Sequence, residues 1–467
     1  FEAVRLFVAR ARAAKPGFEL SETNSQAVGQ IVRRLDGIPL AIELAAARVK
    51  LLSPAQIAAR LNDRFRLLTG GSRTALPRQQ TLRALIDWSY DLLNENERWF
   101  LRQMSVFSGG WALEAAEYVV DSATLETGFF TTRSSADEYT PRTRFLDDLD
   151  ALDLLANLVN KSLVRVDDSG DEVRYFYLET IRQYAHDRLF EEGEGSQARD
   201  RHFAYFLQMA KEGYNDGELT TYGDVERLER LEKELDNLRA AMEWGAGQDP
   251  VAAIGMLQYL AALWSAWSLG EEARRQAEML LESLAALPVA ERESTRGRLA
   301  RAYGLGIFAL GAATTAGGEG AYAALEEAAA ILREVGTEPF FLASALYLQS
   351  VVAVEIDRPQ GEASAREAYK IGQTHGYRDI QNLALNAMAR WALTRGEIET
   401  AAAYLSEARQ LRRGRAIPVL VMAQAYVEAM VARIAGDMEG ALHVLEEGIK
   451  ALRLSRHRHF ANVLDSE

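Results

Sequence analysis

The most restrictive feature of this chain is a recurring set of small and large residues in its second half. Gly396 is followed five, nine and twelve residues on by Ala401, Leu405 and Ala408, and Gly436 by Ala441, Leu445 and Gly448 at the same offsets. The triples Ala273, Ala277, Leu280; Ala321, Leu325, Ala328; and Ala365, Tyr369, Gly372 keep the inner spacing of four and three. Residues so spaced share one helix face. The small ones let a second helix approach, and the larger one fills the gap between neighbours. Successive triples start 48, 44, 36 and 40 residues apart. A single helical hairpin cannot bury its apolar face, so about five of them must stack into a superhelix with a concave surface.

The rest of the composition agrees with a long helical chain. Only 10 of 467 residues are proline, and 48% are hydrophobic, as in folded globular proteins. With no cysteine, disulfides, thiolate metal sites and cysteine nucleophiles are excluded, and a reducing cytoplasm is the expected location. No secretory leader is recognisable. The first residue is Phe1 inside an already helical pattern, so a fragment of a longer protein is expected. Val251 to Gly270 carries no charge over a length that would span a bilayer, but its glutamine, serines and alanines read as a buried helix, and no membrane contact is expected.

In the first half, helical signals run from Glu2 to about Leu61, interrupted by Asp36-Gly37-Ile38-Pro39, where Gly37 permits a reversal and Pro39 opens the next helix. Thr81 to Leu93 and Glu95 to Val106 read as helices, the second capped by Asn94. Leu113 to Val120 and Leu149 to Val159 follow, on either side of a polar insertion. Ser162 to Val166 and Val173 to Tyr177 alternate around Asp167-Asp168-Ser169-Gly170-Asp171, a hairpin signal. Three helices and a two-stranded wing make a winged helix. Its candidate groove helix carries Asp147, Asp148, Asp150 and Asp153 and no basic residue before Lys161, so no direct nucleic acid contact is expected. Further on, Val225, Leu228, Leu231, Leu235, Leu238 and Met242 form a single apolar seam.

Catalytic signatures are missing. The 6 histidines form no zinc-binding pair. Gly304-Leu305-Gly306-Ile307-Phe308-Ala309 matches a loose dinucleotide fingerprint, but follows a helical stretch rather than the required strand. No Gly-Lys pair occurs, so there is no P-loop to hold phosphates, and the chain is not expected to be an enzyme by itself.

The runs EAVRLFVARARA, RRLDGIPLAIELAAARVKLLS, RLNDRFRLLTGGSRTALPRQQTLRALIDWSYDLL and RQMSVFSGGW resemble the second half of the nucleotide-binding switch of bacterial STAND/NB-ARC signalling ATPases that carry LuxR-type or antibiotic-regulator-type transcriptional output. The resemblance covers about residues 1 to 245. It implies that Gly37, Ile38 and Pro39 lie against the adenine of ATP or ADP in the full-length protein, while the phosphate-binding elements lie upstream of Phe1. No cofactor is therefore expected on this chain. The same Gly37-Ile38-Pro39 corner is also simply what a helix-loop-helix reversal needs. The family's Met-His-Asp motif aligns with Tyr177, Leu178 and Glu179. Leu178 cannot donate a hydrogen bond to a phosphate, and Glu179 either keeps the family's acidic role or pairs with Arg182 at its helix start.

The small-residue offsets resemble tetratricopeptide repeats with longer helices or loops. The reading is therefore mainly α: a helical subdomain of NB-ARC type (1–75), a winged helix (76–195) with an insertion near 121–146, and a tetratricopeptide-like α-solenoid (196–467). The resemblance makes the solenoid a sensor for a protein partner or small-molecule inducer, with the other domains of the same protein as further partners, and allows a ligand-induced oligomer. Arg409, Arg412, Arg413 and Arg415, with Trp391, are the candidate partner-binding residues. The arginines suit acidic groups or complement helix dipoles, and Trp391 lines a pocket or packs in the core. A passive repeat scaffold and a DNA-binding winged-helix factor are the alternatives.

Overall fold

The computed structural model describes residues 2–35, 38–68, 77–121, 151–170, 172–212, 214, 225–266, 269–312, 318–411 and 418–449. It is mainly α, with two short strands among the described residues. The chain divides into two compact units, Phe1–Tyr205 and Phe206–Glu467.

The first unit opens with α1 (Glu2–Ala14), α2 (Glu22–Arg34), α3 (Pro39–Ala47), a 3-10 turn (Arg48–Lys50), α4 (Pro54–Leu68) and α5 (Pro77–Asp91). Phe7, Ile31, Leu35, Ile42, Ile57 and Trp88 meet in one buried cluster. Helix α5 starts at Pro77, four residues before the expected Thr81, because proline at the first helical position loses no hydrogen bond. Next come α6 (Glu95–Gln103), a 3-10 turn (Met104–Val106), α7 (Leu113–Val120) and α8 (Ala151–Asn160). Asn94 caps α6 as expected. Its side chain accepts from the Glu97 N–H at 2.9 Å, and Glu97 accepts from the Asn94 N–H at 2.9 Å. The expected insertion near 121–146 falls, except for Asp121, outside the described residues, as do Asp147, Asp148 and Asp150.

Strands β1 (Arg165–Asp167) and β2 (Arg174–Phe176) pair antiparallel. They are shorter than expected because Ser162 and Leu163 still belong to the end of α8. Ser162 takes a left-handed φ of 59° and the Leu163 N–H returns to the Leu158 carbonyl at 3.0 Å. Trp111 exchanges two backbone bonds of 2.9 Å with Tyr175 and stacks on Phe107, so the hairpin is held to the core that follows α6. Then come α9 (Glu179–Glu191) and α10 (Gly195–Lys211).

The second unit continues with α11 (Val225–Lys233), α12 (Leu235–Gln248), α13 (Pro250–Tyr259), α14 (Ala261–Ala266), α15 (Gly270–Ala285), α16 (Val289–Arg292), α17 (Thr295–Ala312), α18 (Gly318–Val335), α19 (Pro339–Glu355), α20 (Gly361–His375), α21 (Arg378–Thr394), α22 (Ile398–Leu411) and α23 (Pro418–Ile434). A last helix, α24, covers 438–449. The expected single seam from Val225 to Met242 is two helices. They part at buried Glu234, whose carboxylate accepts from the Asn237 amide at 2.7 Å, and Arg227 of the first donates to the carbonyls of Ala210 and Tyr259. The charge-free run from Val251 is likewise broken at Leu260. No helix among the described residues is long and apolar enough to cross a membrane.

From α15 onward each long helix packs on the next, giving stacked hairpins. The small-residue triples mark this packing. Ala273, Ala277 and Leu280 on α15, Ala321, Leu325 and Ala328 on α18, and Ala401, Leu405 and Ala408 on α22 are all buried. Gly396 and Gly436, at φ 74° and 84°, occupy the left-handed turns that reverse the chain between hairpin helices. Gly304 and Gly306 lie inside α17, so the loose dinucleotide fingerprint has no strand before it. Helices α19, α21 and α23 pack against their next-but-one neighbours much more than α18, α20 and α22 do. The solenoid therefore has a tight layer and an open one.

Candidate functional site

The corner at the end of α2 is built by backbone geometry. The Ile38 N–H donates to the Leu35 carbonyl at 2.8 Å, closing a tight reversal. Ile38 is extended (φ −67°, ψ 116°), as a residue before proline must be, and Pro39 starts α3. Ile38 rests partly on the core of the first unit, and Pro39 is exposed. Gly37 lies outside the described residues. Helix α3 is apolar apart from Glu43, whose carboxylate meets Arg10 at 3.3 Å and Arg165 of β1 at 3.7 Å.

Glu179 opens α9 and is held by Arg182 through two bonds of 2.7 and 2.8 Å. This guanidinium keeps the carboxyl below its usual range. Glu179 makes no hydrogen bond to the corner among the described residues. Tyr177 is a structural group: its hydroxyl donates to the Leu101 carbonyl at 2.9 Å, and burial pushes the phenol up. Leu178 is the cap residue of α9 and offers no side-chain bond there.

Sequence reasoning missed the buried charged groups of the first unit. Arg48, just after α3, is 3% exposed, and its Nε and Nη2 have no hydrogen-bond partner. Burial lowers its pKa to about 10, with the nearby Glu97 charge opposing. Both oxygens of Glu97 are taken by Lys161 at 2.5 Å. In the same unit Arg102 clamps Glu194 through bonds of 3.0 and 2.8 Å and donates to Tyr90 at 2.8 Å. The Asn94–Glu97 spacing was a readable signal for the carboxylate, whereas its cationic neighbours sit in ordinary helical patterns.

In the solenoid, Arg409 is exposed and bonded to Glu428 at 2.6 Å. Arg412, Arg413 and Arg415 lie outside the described residues. Trp391 is a core residue: it is 6% exposed, and its indole N–H donates to Ser350 at 3.0 Å. The tight layer carries a stripe of buried polar side chains, Asp379, Asn382, Asn386 and Arg390 on α21 with Gln349 on α19 and Gln424 on α23. The open-layer helices α18, α20 and α22 bury no polar residue. Asn386 donates to the Asn382 carbonyl at 2.8 Å, and its own oxygen has no partner. No group of three acidic or histidine side chains among the described residues could hold a metal ion.

No family model matches the chain. Over 267 residues it is 42% identical to proteins of Mycobacterium tuberculosis and Mycobacterium bovis provisionally named HTH-type transcriptional regulators. The match covers 56% of this chain and 27% of theirs, so the chain spans about a quarter of their length. A second mycobacterial protein, uncharacterised, is 38% identical over 207 residues, which is 44% of this chain and 48% of that protein. Among solved structures, a Signal Transduction ATPase with Numerous Domains carrying a tetratricopeptide repeat sensor, from Pyrococcus horikoshii, aligns over 91% of this chain and 74% of its own. Its TM-score is 0.33 at 15% identity, too distant a likeness to place any residue. The chain is thus similar, over rather more than half its length, to mycobacterial proteins that carry the name of HTH-type transcriptional regulators.

Proposed function

We propose that this chain is the regulatory and sensor part of a STAND-type signal-transduction ATPase that controls transcription. The carrying observation is the order of its parts: a unit containing the Ile38–Pro39 corner, followed by a solenoid of stacked hairpins with a polar stripe on its tight layer. In this reading the solenoid binds an inducer or protein partner, and that binding biases a nucleotide-dependent, two-state switch in the cytoplasm. A coupling of about 1–3 kcal/mol would change output roughly five- to 150-fold.

The residues present suit only one part of a nucleotide. Apolar Ile38 and exposed Pro39 offer a surface for a base. Glu179 is anionic and already paired, and Leu178 has no donor, so neither suits a phosphate. ATP or ADP therefore belongs to the longer protein, and this chain alone is not an ATPase. Titration calorimetry of the chain with ATP and with ADP checks this: no micromolar binding is expected, and binding of either would overturn it. For the sensor role, nucleotide release from the longer protein should change at least about fivefold when residues 206–467 are deleted. An unchanged rate would favour a passive scaffold.

A further inference from the structure

We infer that the α20–α22 joint of the open layer is a releasable ionic clasp, and that the solenoid yields there before it yields at the α18–α20 joint. Neighbouring helices of this layer are tied in a repeated way. An arginine in the turn before one helix reaches back to a glutamate in the first turn of the preceding open-layer helix: Arg358 to Glu319 at 2.9 Å, then Arg395 to Glu362 at 2.5 Å. A second tie lies farther along each pair. The Arg333 guanidinium of α18 meets both oxygens of Glu367 on α20 at 3.0 and 2.8 Å, and the Tyr369 hydroxyl of α20 donates to Glu407 on α22. These ties reach water, unlike the buried Trp391 N–H bond to Ser350 that joins α21 to α19 in the tight layer.

The two joints differ in what their charges do when the crossing bond breaks. Glu362 also accepts from Arg366, one helical turn on, at 2.7 Å, and Arg395 also holds Glu397 through bonds of 2.8 and 3.1 Å. The side chains form a row, Arg366–Glu362–Arg395–Glu397, in which the middle link crosses the joint and the outer links do not. Opening the middle link therefore leaves a local pair on each side, Arg366 with Glu362 as an i,i+4 helix pair and Arg395 with Glu397. At the α18–α20 joint both ties are firmer. Arg333 and Glu367 meet in a two-bond fork, the geometry in which an accessible pair holds best. Arg358 also lies over the ring of Tyr322, at 5.6 Å, so both of its contacts cross that joint. Half-buried Tyr404 of α22 packs with Tyr369 against Ala365, Ala387 and Met388. Release of the clasp is thus a tilt of α22 about this apolar contact. The clasp is a property of the second unit and depends on neither the nucleotide nor the sensor reading.

Spin-label distances in the whole chain test this, since it has no native cysteine to compete for the label. Lys370→Cys with Ser406→Cys spans the α20–α22 joint, and Ala330→Cys with Lys370→Cys spans the α18–α20 joint, all at exposed positions. Raising NaCl to about 1 M cuts the reach of exposed charges to about 3 Å. The population at the longer Lys370–Ser406 distance should then rise about two- to fivefold, the ratio that one exposed pair controls. The Ala330–Lys370 distribution should change less. Two further substitutions carry opposite signs. Arg395→Gln removes the crossing link and should reproduce the high-salt distribution at low salt. Glu397→Gln removes the local partner that competes for Arg395, and should leave the joint more closed than in the unaltered chain. If Glu397→Gln opens the joint as Arg395→Gln does, or if the two joints respond to salt alike, there is no releasable clasp and the proposal fails.

Discussion

Burial, more than residue type, separates the side chains that matter to this solenoid from those that merely look functional. Trp391 has the appearance of a pocket residue, but it fills the space beside Gly361 and gives its N–H to Ser350. A Cβ on Gly361 would stand 2.2 Å from the Ala353 Cβ and 3.0 Å from the Trp391 ring. Gly361→Ala should therefore cost about 1–3 kcal/mol through overpacking, visible as a lower melting temperature. Arg409→Ala should change stability by less than about 1 kcal/mol, since its ion pair with Glu428 is solvent-exposed. A loss for Arg409→Ala as large as for Gly361→Ala would contradict this ranking. The offsets after Gly396 identified Ala401, Leu405 and Ala408 as packing residues because each repeat needs small side chains at the same step. They carried no information on Trp391, whose place depends on a glycine 30 positions earlier.

At the level of elements, helices were readable wherever the local signal was chemical: the Asn94 cap, the Pro39 start, the left-handed glycines. The break at Glu234 and the short strands were not, since both depend on contacts distant in sequence or on how a preceding helix ends. The candidate site was legible to the same degree. Its corner follows from Ile38 and Pro39, but the buried Glu97–Lys161 pair needs α6 and the end of α8 to be folded together first. The junction of α9 and α10 is another such feature. His186 lies 4.7 Å from the Phe190 ring and 2.9 Å from the Arg199 guanidinium. Its pKa is lowered, first by burial and then by the charges of Arg199 and Arg182. Below the unfolded value of about 6.5 the unfolded chain binds the proton more readily. This histidine therefore costs no stability above that pH, and the folded state loses stability as pH falls below it. His186→Gln should narrow the drop in melting temperature between about pH 7.5 and about pH 5.5. An unchanged or wider drop would place the acid sensitivity elsewhere.

Across the whole molecule, the charge distribution bears on whether this chain itself binds DNA. Residues 1–120 hold 16 basic against 12 acidic side chains, residues 121–200 hold 9 against 18, and the rest 28 against 37, for a net charge of −14. DNA binding draws much of its affinity from neutralised phosphates, and each such contact steepens the salt dependence. The hairpin offers Arg165 and Arg174, but Arg165 is turned to Glu43 and the turn beside them carries Asp167 and Asp168. Too few free cations lie together here to offset the repulsion of a −9 segment. A gel-shift assay at about 50 mM salt should accordingly show no complex up to roughly 10 µM chain, a concentration at which ordinary non-specific binders already retard DNA. If a shift appears, weakens steeply with salt and is lost in Arg165→Ala with Arg174→Ala, DNA reading belongs to this hairpin. If none appears, the DNA contact implied by the relatives' name must be made by parts of such regulators that this quarter of their length does not include.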